Sequence, residues 1–455
     1  MTRNQRLGSR AVVIGGSIAG MGAARVLADY FDEVVVLERD RLQACPAPRQ
    51  SVPQASHIHA LLAGGERVLS TLFTGFTERL CALGAIRYRA GIDTEVHFPD
   101  GRAYTIFGRL QQPCDVGVAL YSQSREVIEY VIRDRVAALP NVKIASGIAV
   151  TGLCHADGSI RGVRYIENSR VSSLDGDLVV DATGRASQAP RWIGEFGYSA
   201  PAETLISVDL AYASTRYRLP NGSPRSVFVL VPRIPTGGVL QEIENGIWQV
   251  TLGGRFGVFP PTDEAGFLSF AHSLHSTRIH ELIAGAERIA EITAYRFPIS
   301  VWRHFERLRQ FPDAFLVLGD AFCSFNPLYG QGMSAAMLQA EALQQTLKER
   351  VERGGSCAGI HNQFFRNAAA VINTPWTLAA NVDFSFPRTK GTRPAGMALR
   401  RRYSEALETL ALEDIEITRL LHEVYHLRKP IGALNAPPLL RRVLIAMLRN
   451  AVSRN

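Results

Sequence analysis

Residues 10–20 read Arg10-Ala-Val-Val-Ile-Gly-Gly-Ser-Ile-Ala-Gly20. The apolar run before the glycines predicts a buried strand, and the Ala-, Leu- and Val-rich residues 21–30 predict a helix. A second apolar strand, Val34-Val-Val-Leu-Glu38, follows and ends in an acid. Strands that are apolar throughout are typical of a parallel sheet covered by helices on both faces. The opening of the chain therefore predicts a strand–helix–strand unit.

The turn in this unit has the spacing G-x-G-x-x-G, with Ser17 in place of the middle glycine. Gly15 permits a tight turn and Gly20 lets the helix pack close to the sheet, while the free N–H groups and dipole at the helix start suit a pyrophosphate. Glu38 ends the second strand, where its carboxylate can accept both ribose hydroxyls of an adenosine. The pattern predicts a dinucleotide site without distinguishing FAD from NAD.

A later stretch, residues 314–336, favours FAD. It places Asp320 at a predicted strand end and then Pro327, Gly330 and Gly332 ahead of a helix. An Asp in this position can hold a ribityl hydroxyl, and the glycines let backbone N–H groups approach a flat ring. The start of the helix stabilises negative charge on a reduced flavin. A nicotinamide cofactor needs no such second element.

Between these motifs the texture of the chain changes. Further helices are predicted at 122–139 and 330–350, and further buried strands at 178–180 and 315–318. The stretch from about 191 to 301 is instead rich in short strands such as 226–231 and 247–252, and the chain after about residue 355 is mostly helical. We predict an α/β protein with an α+β insertion: a Rossmann-like FAD-binding domain with a parallel sheet (1–80, 121–190 and 301–355), a mostly antiparallel β-sheet substrate domain (81–120 and 191–300), and a C-terminal helical region (356–455).

Composition excludes several classes of protein. The 455 residues are 46% hydrophobic and 20% charged, which indicates a globular chain with a large core rather than a disordered one. There is no uncharged apolar run of ~18 residues and no apolar leader near Met1, so we expect a cytoplasmic protein. The six cysteines lie more than 30 residues apart, which argues against a metal site or a disulfide framework.

The net charge of +8 is concentrated in residues 388–455, which carry +7 (13 Lys/Arg against 6 Asp/Glu). A solvated helix face explains this better than nucleic-acid binding, and we expect no nucleic-acid partner. Residues 437–449 are amphipathic and cationic, so they could rest on a membrane surface. Docking of this segment on the chain's own fold is the favoured interpretation.

Taken together, the motifs resemble the single-component FAD-dependent monooxygenases of the aromatic-hydroxylase-like group, and most nearly the bacterial squalene-epoxidase-like and polyether polyene epoxidases. The resemblance covers nearly the whole chain. It depends on the glycine turn, on Glu38, on the helix that begins near Arg125, and on the segments 52–62, 181–187 and 319–333. The segment Asp181-Ala-Thr-Gly184 departs from the usual Gly-Ala-Asp-Gly of the group, which leaves open whether NADPH, NADH or a separate flavin reductase reduces the flavin.

The resemblance implies roles for individual residues. Glu38 and Arg39 would hold the adenosine ribose, Arg49 and Arg125 the phosphates or ribityl chain, and Val150 the adenine through its backbone. Asp320 would bind the ribityl chain, and the segment 330–333 would line the pyrimidine edge of the flavin. The full set of implied cofactor residues is Gly15, Gly16, Ser17, Ala19, Gly20, Glu38, Arg39, Arg49, Arg125, Val150, Asp320, Gly330, Gln331, Gly332 and Met333.

The resemblance also implies the reaction. One oxygen atom of O2 would be transferred from a flavin C4a-hydroperoxide to a hydrophobic small molecule of natural-product biosynthesis, most readily by alkene or polyene epoxidation. Aromatic (phenol or polyketide) hydroxylation and a reductase or oxidase acting on a prenyl chain stay open as alternatives. A halogenase is disfavoured because it needs a lysine near the flavin and a Trp-x-Trp-x-Ile-Pro stretch, which the chain lacks.

No catalytic acid, base or nucleophile is required, because the flavin performs the chemistry. Pocket candidates are His57, His59, Asn326, Pro327 and Tyr329. For the two histidines, a structural role with satisfied hydrogen bonds is favoured over a place at the flavin edge. Four aromatic residues of the strand-rich region are candidates for the pocket wall or for core packing: Trp248, Phe256, Tyr295 and Phe297.

Overall fold

The computed structural model describes residues 6–99, 101–104, 113–230 and 233–452. The predicted strand end at residue 231 and part of the predicted segment 81–120 lie outside the described residues. The strands are β1 Gly8–Ile14, β2 Phe31–Glu38, β3 Ile86–Arg89, β4 Glu95–His97, β5 Ala103–Tyr104, β6 Ala119–Ser122, β7 Val142–Ser146, β8 Ala149–Ala156, β9 Ser159–Glu167, β10 Arg170–Asp175, β11 Leu178–Asp181, β12 Glu203–Ser207, β13 Leu210–Arg218, β14 Ser226–Val229, β15 Thr236–Ile243, β16 Ile247–Arg255, β17 Glu287–Arg288, β18 Thr293–Phe297, β19 Ser300–Arg303, β20 Phe315–Val317, β21 Cys323–Ser324 and β22 Lys390–Gly391. The helices are α1 Ile18–Leu27, α2 Ala63–Leu72, α3 Phe76–Ala82, α4 Arg125–Ala137, α5 Ala189–Glu195, α6 Glu264–His272, α7 Arg278–Ile283, α8 Gly332–Glu352, α9 Ile360–Asp383, α10 Met397–Ala411, α11 Ile415–Tyr425 and α12 Pro437–Val452.

A parallel sheet of strand order β20-β11-β1-β2-β7 forms the centre of the first domain. Val12 and Val13 of β1 are fully buried, as are Val179 and Val180 of β11. This is the burial that a continuous apolar strand predicts when helices cover both faces. Sequential β1, α1 and β2 form the expected unit, and the predicted Rossmann-like fold is confirmed.

Helix α4 begins three residues later than the sequence pattern predicts. The hydroxyl of Ser124 accepts a hydrogen bond from the N–H of Val127, so Ser124 caps the helix and the residues before it are extended. This start places Arg125 in the first turn of α4. The apolar spacing alone did not show the cap, so the predicted range 122–139 was too long at this end.

The strand-rich region forms a mostly antiparallel sheet around β13, β16 and β15, with β17 and β18 both paired to β13. At its other side β14 pairs with β4, which comes from the earlier segment of the chain. The sheet covers a core of its own under α6 and α7. The predicted antiparallel insertion is confirmed, while the exact domain boundaries stay a prediction.

After α8 and the long helix α9, the chain folds into α10, α11 and α12, which share an apolar core. Leu439 and Val443 of α12 are buried in it, as the docked interpretation of this segment expects. The opposite side of α12 exposes Leu444 and Leu448. Within the described part of the chain, no helix combines the length and the apolar character needed to cross a bilayer.

Candidate active site

The glycine turn lies between β1, α1 and β11. Gly15 has φ +101°, and a Cβ at this position would lie 2.7 Å from the carbonyl oxygen of Ala182. A Cβ on Gly20 would lie 1.8 Å from the carbonyl oxygen of Gly15. Both glycines are therefore required by close approach of the backbone. The Ser17 side chain does not cap α1, which leaves the first N–H groups of the helix without a side-chain acceptor.

A buried cluster of charges surrounds this turn. Arg49 forms ion pairs with Glu38 at 2.7 Å, Glu129 at 3.2 Å and Asp40 at 3.3 Å. Arg125 pairs with Glu129 at 2.8 Å. Burial raises the pKa of Glu129, but the charges of Arg125 and Arg49 outweigh it and lower this pKa to about 2. Since three carboxylates outnumber two guanidinium groups, the side chains of this cluster do not by themselves attract an anion. The uncapped N-terminus of α1 therefore supplies the attraction for a diphosphate.

The structure modifies the role expected of Glu38. Its carboxylate already accepts the N–H of Gly16 at 2.6 Å, the N–H of Asp40 at 2.8 Å and a hydrogen bond from Arg49. An ionised carboxylate has about four acceptor positions. One position is left for a ribose hydroxyl, whereas the sequence pattern predicted a carboxylate free to accept both ribose hydroxyls. The side chains of Ser17 and Glu129 meet in a hydrogen bond beside it.

The second element of the site is the segment from Asp320 to the start of α8. Asp320 lies in the short turn after β20, and a Cβ on Gly332 would lie 3.8 Å from its Oδ1. Gly330 has φ +63° and packs against Ala60 so closely that a Cβ would meet it at 2.8 Å. Helix α8 begins at Gly332 without a side-chain cap. The two elements that the sequence separates by 300 residues thus meet at one cavity.

The site fits FAD on two observations. Among the described residues no protein group donates a hydrogen bond to the Asp320 carboxylate, and burial raises the pKa of Asp320 although Arg125, Arg185 and Arg303 lower it. The buried Oε1 atom of Gln331, in the loop before α8, also lacks a partner. A buried polar atom without a partner is costly, as for Gln331, and the half-buried Asp320 lines the cavity, so both suit hydrogen-bonding groups on a ligand. Ribityl hydroxyls and the polar edge of a flavin supply them.

One cavity of about 2380 Å3 connects these residues. Its wall includes Ser17, Glu38, Arg39, Val150 and the segment 330–333 of the predicted set. The remaining predicted cofactor residues on this wall are Gly15, Ala19, Arg49, Arg125 and Asp320, whereas Gly16 and Gly20 support the turn from behind.

The two histidines lie on the same cavity wall. The Nδ1 atom of His57 is 2.7 Å from the hydroxyl of Ser214, and its ring meets Tyr212 edge-on at 4.4 Å between centroids. Burial lowers the pKa of His57 to about 4. His59 Nδ1 donates to the carbonyl oxygen of His57, and burial lowers the pKa of His59 to about 3. Both rings are neutral at pH 7. The Nε2 atom of His57 has no partner, so the expectation of fully satisfied histidines does not hold for this ring.

Of the pocket candidates, Asn326 lies off the cavity wall, whereas Trp248 and Phe256 follow the core-packing alternative. Asn326 is fully buried behind the wall, where its Nδ2 donates to Asp383 at 2.9 Å and its Oδ1 accepts from the N–H of Leu328. Trp248 belongs to the core under α6 and α7 and donates to the carbonyl oxygen of Pro224. Phe256 packs against Phe386 outside the wall. Pro327, Tyr329, Tyr295 and Phe297 do line the cavity.

Sequence reasoning missed part of the site. Glu129 was findable, because it lies four residues after Arg125 on one helix face and such pairs form ion pairs. Arg255 and Asp383 carried no motif and are brought to the loop 327–329 by tertiary packing. Helices α10, α11 and α12, which were expected to belong to a separate region, also carry cavity residues: Met397, Arg401, Arg402, Leu421, His422, Tyr425, Leu444, Met447 and Leu448. Leu412, which directly follows α10, lines the cavity as well.

Comparison with known proteins places the chain. None of the protein-family models matches it. Protein Rv3254 of Mycobacterium tuberculosis is 33% identical over 428 residues, which cover 88% of this chain and 86% of that protein. The FAD-dependent monooxygenase ausM of Penicillium brasilianum is 22% identical over 360 residues, which cover 74% and 69%.

Solved structures agree in fold. The flavin-dependent brominase Bmp2 superposes with a TM-score of 0.69 at 14% identity and covers 98% of both chains. The p-nitrophenol 4-monooxygenase PnpA from Pseudomonas putida DLL-E4 superposes with a TM-score of 0.65 at 19% identity, covering 93% of this chain and 99% of its own. This fold, the site above and the relatives define a flavoprotein oxidoreductase of the FAD-dependent monooxygenase class. Within it, the chain belongs to the family of Rv3254.

An Asp320→Ala variant should retain less FAD. The carboxylate has no protein partner to lose, and a hydrogen bond to a charged group contributes ~1.5–3 kcal/mol, so FAD should bind about 10- to 100-fold more weakly. The apo-protein should be no less stable than the parent, because the half-buried acid that is removed accepts no hydrogen bond from the protein. Flavin titration and thermal unfolding of the apo-protein measure the two effects. Undiminished FAD affinity would contradict the role given to Asp320.

Proposed function

We propose that the protein transfers one oxygen atom of O2 to a large hydrophobic molecule held in the same cavity as FAD. The observation that carries this proposal is the continuity of the cavity from the glycine turn to the antiparallel sheet and the C-terminal helices. Pockets for one small ligand enclose ~300–1,000 Å3. A volume of about 2380 Å3 accommodates a dinucleotide and a second, sizeable molecule.

The residues of this chain have three tasks in such a reaction. The glycine turn and Asp320 bind FAD, which when reduced supplies the activated oxygen. The segment 330–333 orients the flavin through backbone N–H groups at the start of α8. The apolar wall holds the substrate and excludes water, which favours oxygen transfer over loss of peroxide. This wall is lined by Val96, Phe98, Phe228, Leu230, Val239, Phe297, Leu378 and Leu421.

Epoxidation of an alkene or polyene is the first candidate reaction, as in the squalene-epoxidase-like proteins that the sequence resembles. A long apolar chamber suits an extended hydrocarbon chain. Hydroxylation of an aromatic ring is the second candidate. It is favoured by a polar group in the wall, Tyr329 with Arg255, and the solved structure of PnpA belongs to a phenol monooxygenase.

The lysine positions support oxygen transfer over halogenation. None of the four lysines of the chain lines the cavity. Lys143 pairs with Glu33 and Lys429 with Glu423 away from it. Lys348 is exposed on α8 beside Glu352, and Lys390 is exposed in β22. The cavity therefore lacks the lysine that halogenation was expected to need, and halogenation stays the disfavoured reaction.

Isotope labelling tests the reaction class. The FAD-loaded protein, NADPH or NADH, and a candidate polyene or polycyclic phenol are incubated under 18O2, with and without an added flavin reductase. The expected product carries one 18O atom, as an epoxide or as a new ring hydroxyl, detected by mass spectrometry against a reaction under ordinary O2. A turned-over product without label, whether saturated or dehydrogenated, would identify a reductase or oxidase instead.

A further inference from the structure

Four polar side chains meet behind the loop that precedes α8. They are Arg255 at the end of β16, Asn326, Tyr329 and Asp383 at the end of α9, and we call them the Tyr329 cluster. The hydroxyl of Tyr329 donates to Oδ1 of Asp383 at 2.6 Å, and Nδ2 of Asn326 donates to the same oxygen at 2.9 Å. Asp383 is 1% exposed and Arg255 is 3% exposed. The cluster thus contains a buried acid and a buried guanidinium.

The hydrogen bonds already made within the cluster determine which donors and acceptors it offers to a ligand. Tyr329 has one proton and gives it to Asp383, so its oxygen can only accept from any further partner. Arg255 can only donate. Its Nε has no partner, and its Nη1 reaches only the carbonyl oxygen of Ile234 at 3.4 Å. Tyr329 and Arg255 both line the cavity, whereas Asn326 and Asp383 do not. The wall therefore presents one acceptor and one donor together.

The surroundings of the cluster are apolar. The loop residue Leu328 packs with Tyr212, Tyr295 and Phe297, and the guanidinium of Arg255 lies 4.9 Å from the centre of the Phe386 ring. An ionic group that is buried among apolar residues is costly unless its hydrogen bonds are made. Arg255 interacts with the Tyr329 hydroxyl and with the carbonyl oxygen of Ile234, but a hydrocarbon in this part of the cavity would leave its other N–H groups, among them Nε, without a partner. A ligand with a polar oxygen would satisfy them.

We propose that Tyr329 and Arg255 bind an oxygen substituent of the substrate, so that the substrate is a phenol, an enol or another hydroxyl-bearing apolar molecule rather than a pure hydrocarbon. This inference rests on the proposed function, because it takes the cavity as the substrate site. Tyr329 immediately precedes the segment 330–333, so the bound oxygen lies next to the part of the chain assigned to the flavin. Asp383 and Asn326 act as positioning residues for Tyr329.

The protonation of Asp383 adds a second property. Burial raises the pKa of Asp383 to about 6, against the lowering effects of its hydrogen bond from Tyr329, the charge of Arg255 and its hydrogen bond from Asn326. Above this pH the ionised acid accepts the Tyr329 proton, and Tyr329 is an acceptor towards the cavity. Below it, the protonated acid donates to Tyr329, and the phenolic proton is released to become a donor towards the cavity.

Two probes separate these states. 2-Naphthol donates and accepts a hydrogen bond, whereas 2-methoxynaphthalene only accepts. Their binding to the full-length FAD-loaded protein is followed by flavin difference absorbance above and below pH about 6. In the parent protein the ratio of the association constant of 2-naphthol to that of 2-methoxynaphthalene should fall when the pH is lowered. Below the pKa of Asp383, Tyr329 donates to the cavity, and the oxygen atoms of both probes can accept. Asp383→Asn should abolish this pH dependence.

The Tyr329→Phe variant removes only the hydroxyl. Above the pKa of Asp383 it should bind 2-naphthol about ten-fold more weakly, as expected for a hydrogen bond to a polarised acceptor, and 2-methoxynaphthalene almost unchanged. Tyr217→Phe is the matched control, because Tyr217 also has a buried hydroxyl, without a partner and away from the cavity. It should leave both affinities at parent values.

The outcomes are distinct. Equal 2-naphthol affinity in the parent and in Tyr329→Phe, or an affinity ratio in the parent that does not change with pH, would overturn the inference. Failure of both probes to bind the parent would overturn it as well. None of these results changes the outcome expected of the 18O2 experiment, which tests oxygen transfer itself. If Tyr329→Phe loses its flavin, Asp383→Asn and the pH dependence of the parent decide.

Discussion

A Gly20→Ala variant is expected to purify without bound FAD and to unfold more easily than the parent. The added Cβ would lie 1.8 Å from the carbonyl oxygen of Gly15. Because the obstacle is backbone, no side-chain rotation relieves the contact, and either the turn or α1 must move. Overpacking costs about 1–3 kcal/mol, and more where the backbone must shift. The shift displaces the helix start that is assigned to the diphosphate.

Gly22→Ala is the matched control on the same helix. Its Cβ would lie 2.5 Å from the terminal methyl of Met337, which is the far end of a flexible side chain. Met adapts to such contacts, so this variant should retain FAD. Absorbance of bound flavin per chain and thermal unfolding of both variants measure the outcome. A Gly20→Ala protein that is as yellow and as stable as Gly22→Ala would show that the turn does not hold the cofactor.

The fold could be predicted from sequence because its determinants are local. The apolar strand at residues 10–14, the glycine turn and the acid at Glu38 lie within 29 consecutive residues. In that order, the three features indicate a strand covered by helices, a tight turn at the start of a helix, and the end of a second strand. The antiparallel insertion was likewise indicated by short strands separated by Gly and Pro. Helix ends were less accurate, since caps such as Ser124 depend on single side chains.

The meeting of Asp320 and the segment 330–333 at one cavity wall was also largely predictable, because they belong to a continuous motif. The polar cluster around Tyr329 was not. Asp383 is the last residue of α9 and meets Tyr329 only because α9 packs beside the loop before α8. In the sequence it is one acid among 42. Asn326 was expected in the pocket from its place in the motif, but the carboxylate behind it turns its side chain inwards.

The contribution of the C-terminal helices could not be inferred from composition. Their arginines indicated a solvated basic face, and most are indeed exposed. The same helices nevertheless place Leu421, Tyr425 and Met447 on the cavity wall. Amphipathic spacing shows that a helix has an apolar face, but the partner of that face is decided by tertiary packing. Here the face is shared between the helical core and the cavity.

An Arg49→Met variant should lose both stability and FAD. Arg49 is the shared partner of Glu38, Asp40 and Glu129, and its side chain is 6% exposed. Methionine keeps the volume of the stem but removes the guanidinium from Glu38 and Asp40 and leaves Glu129 with Arg125. Removing one partner of a buried ion pair costs about 3–5 kcal/mol, because the remaining charge is uncompensated. Denaturant unfolding of the apo-protein at pH 7 and flavin titration measure the two losses.

Arg67→Met is the control, since it breaks the ion pair between Arg67 and Glu341 at 2.7 Å, whose side chains are 48% and 39% exposed. Such surface pairs contribute about 0–1 kcal/mol.

The pH dependence of the stability gives a second test, in which the direction of the change is predicted. In the parent the lowered pKa of Glu129 contributes stability that is complete above its ordinary value of 4.5 and is lost as the pH falls towards about 2. Without Arg49, less positive charge opposes the effect of burial, so the pKa of Glu129 rises. The folded variant therefore takes up a proton at a higher pH than the folded parent does. The stability deficit of Arg49→Met should therefore narrow on acidification from neutral pH towards 4.5. A deficit that is constant over this range would mean that the three carboxylates are not electrostatically dependent on Arg49.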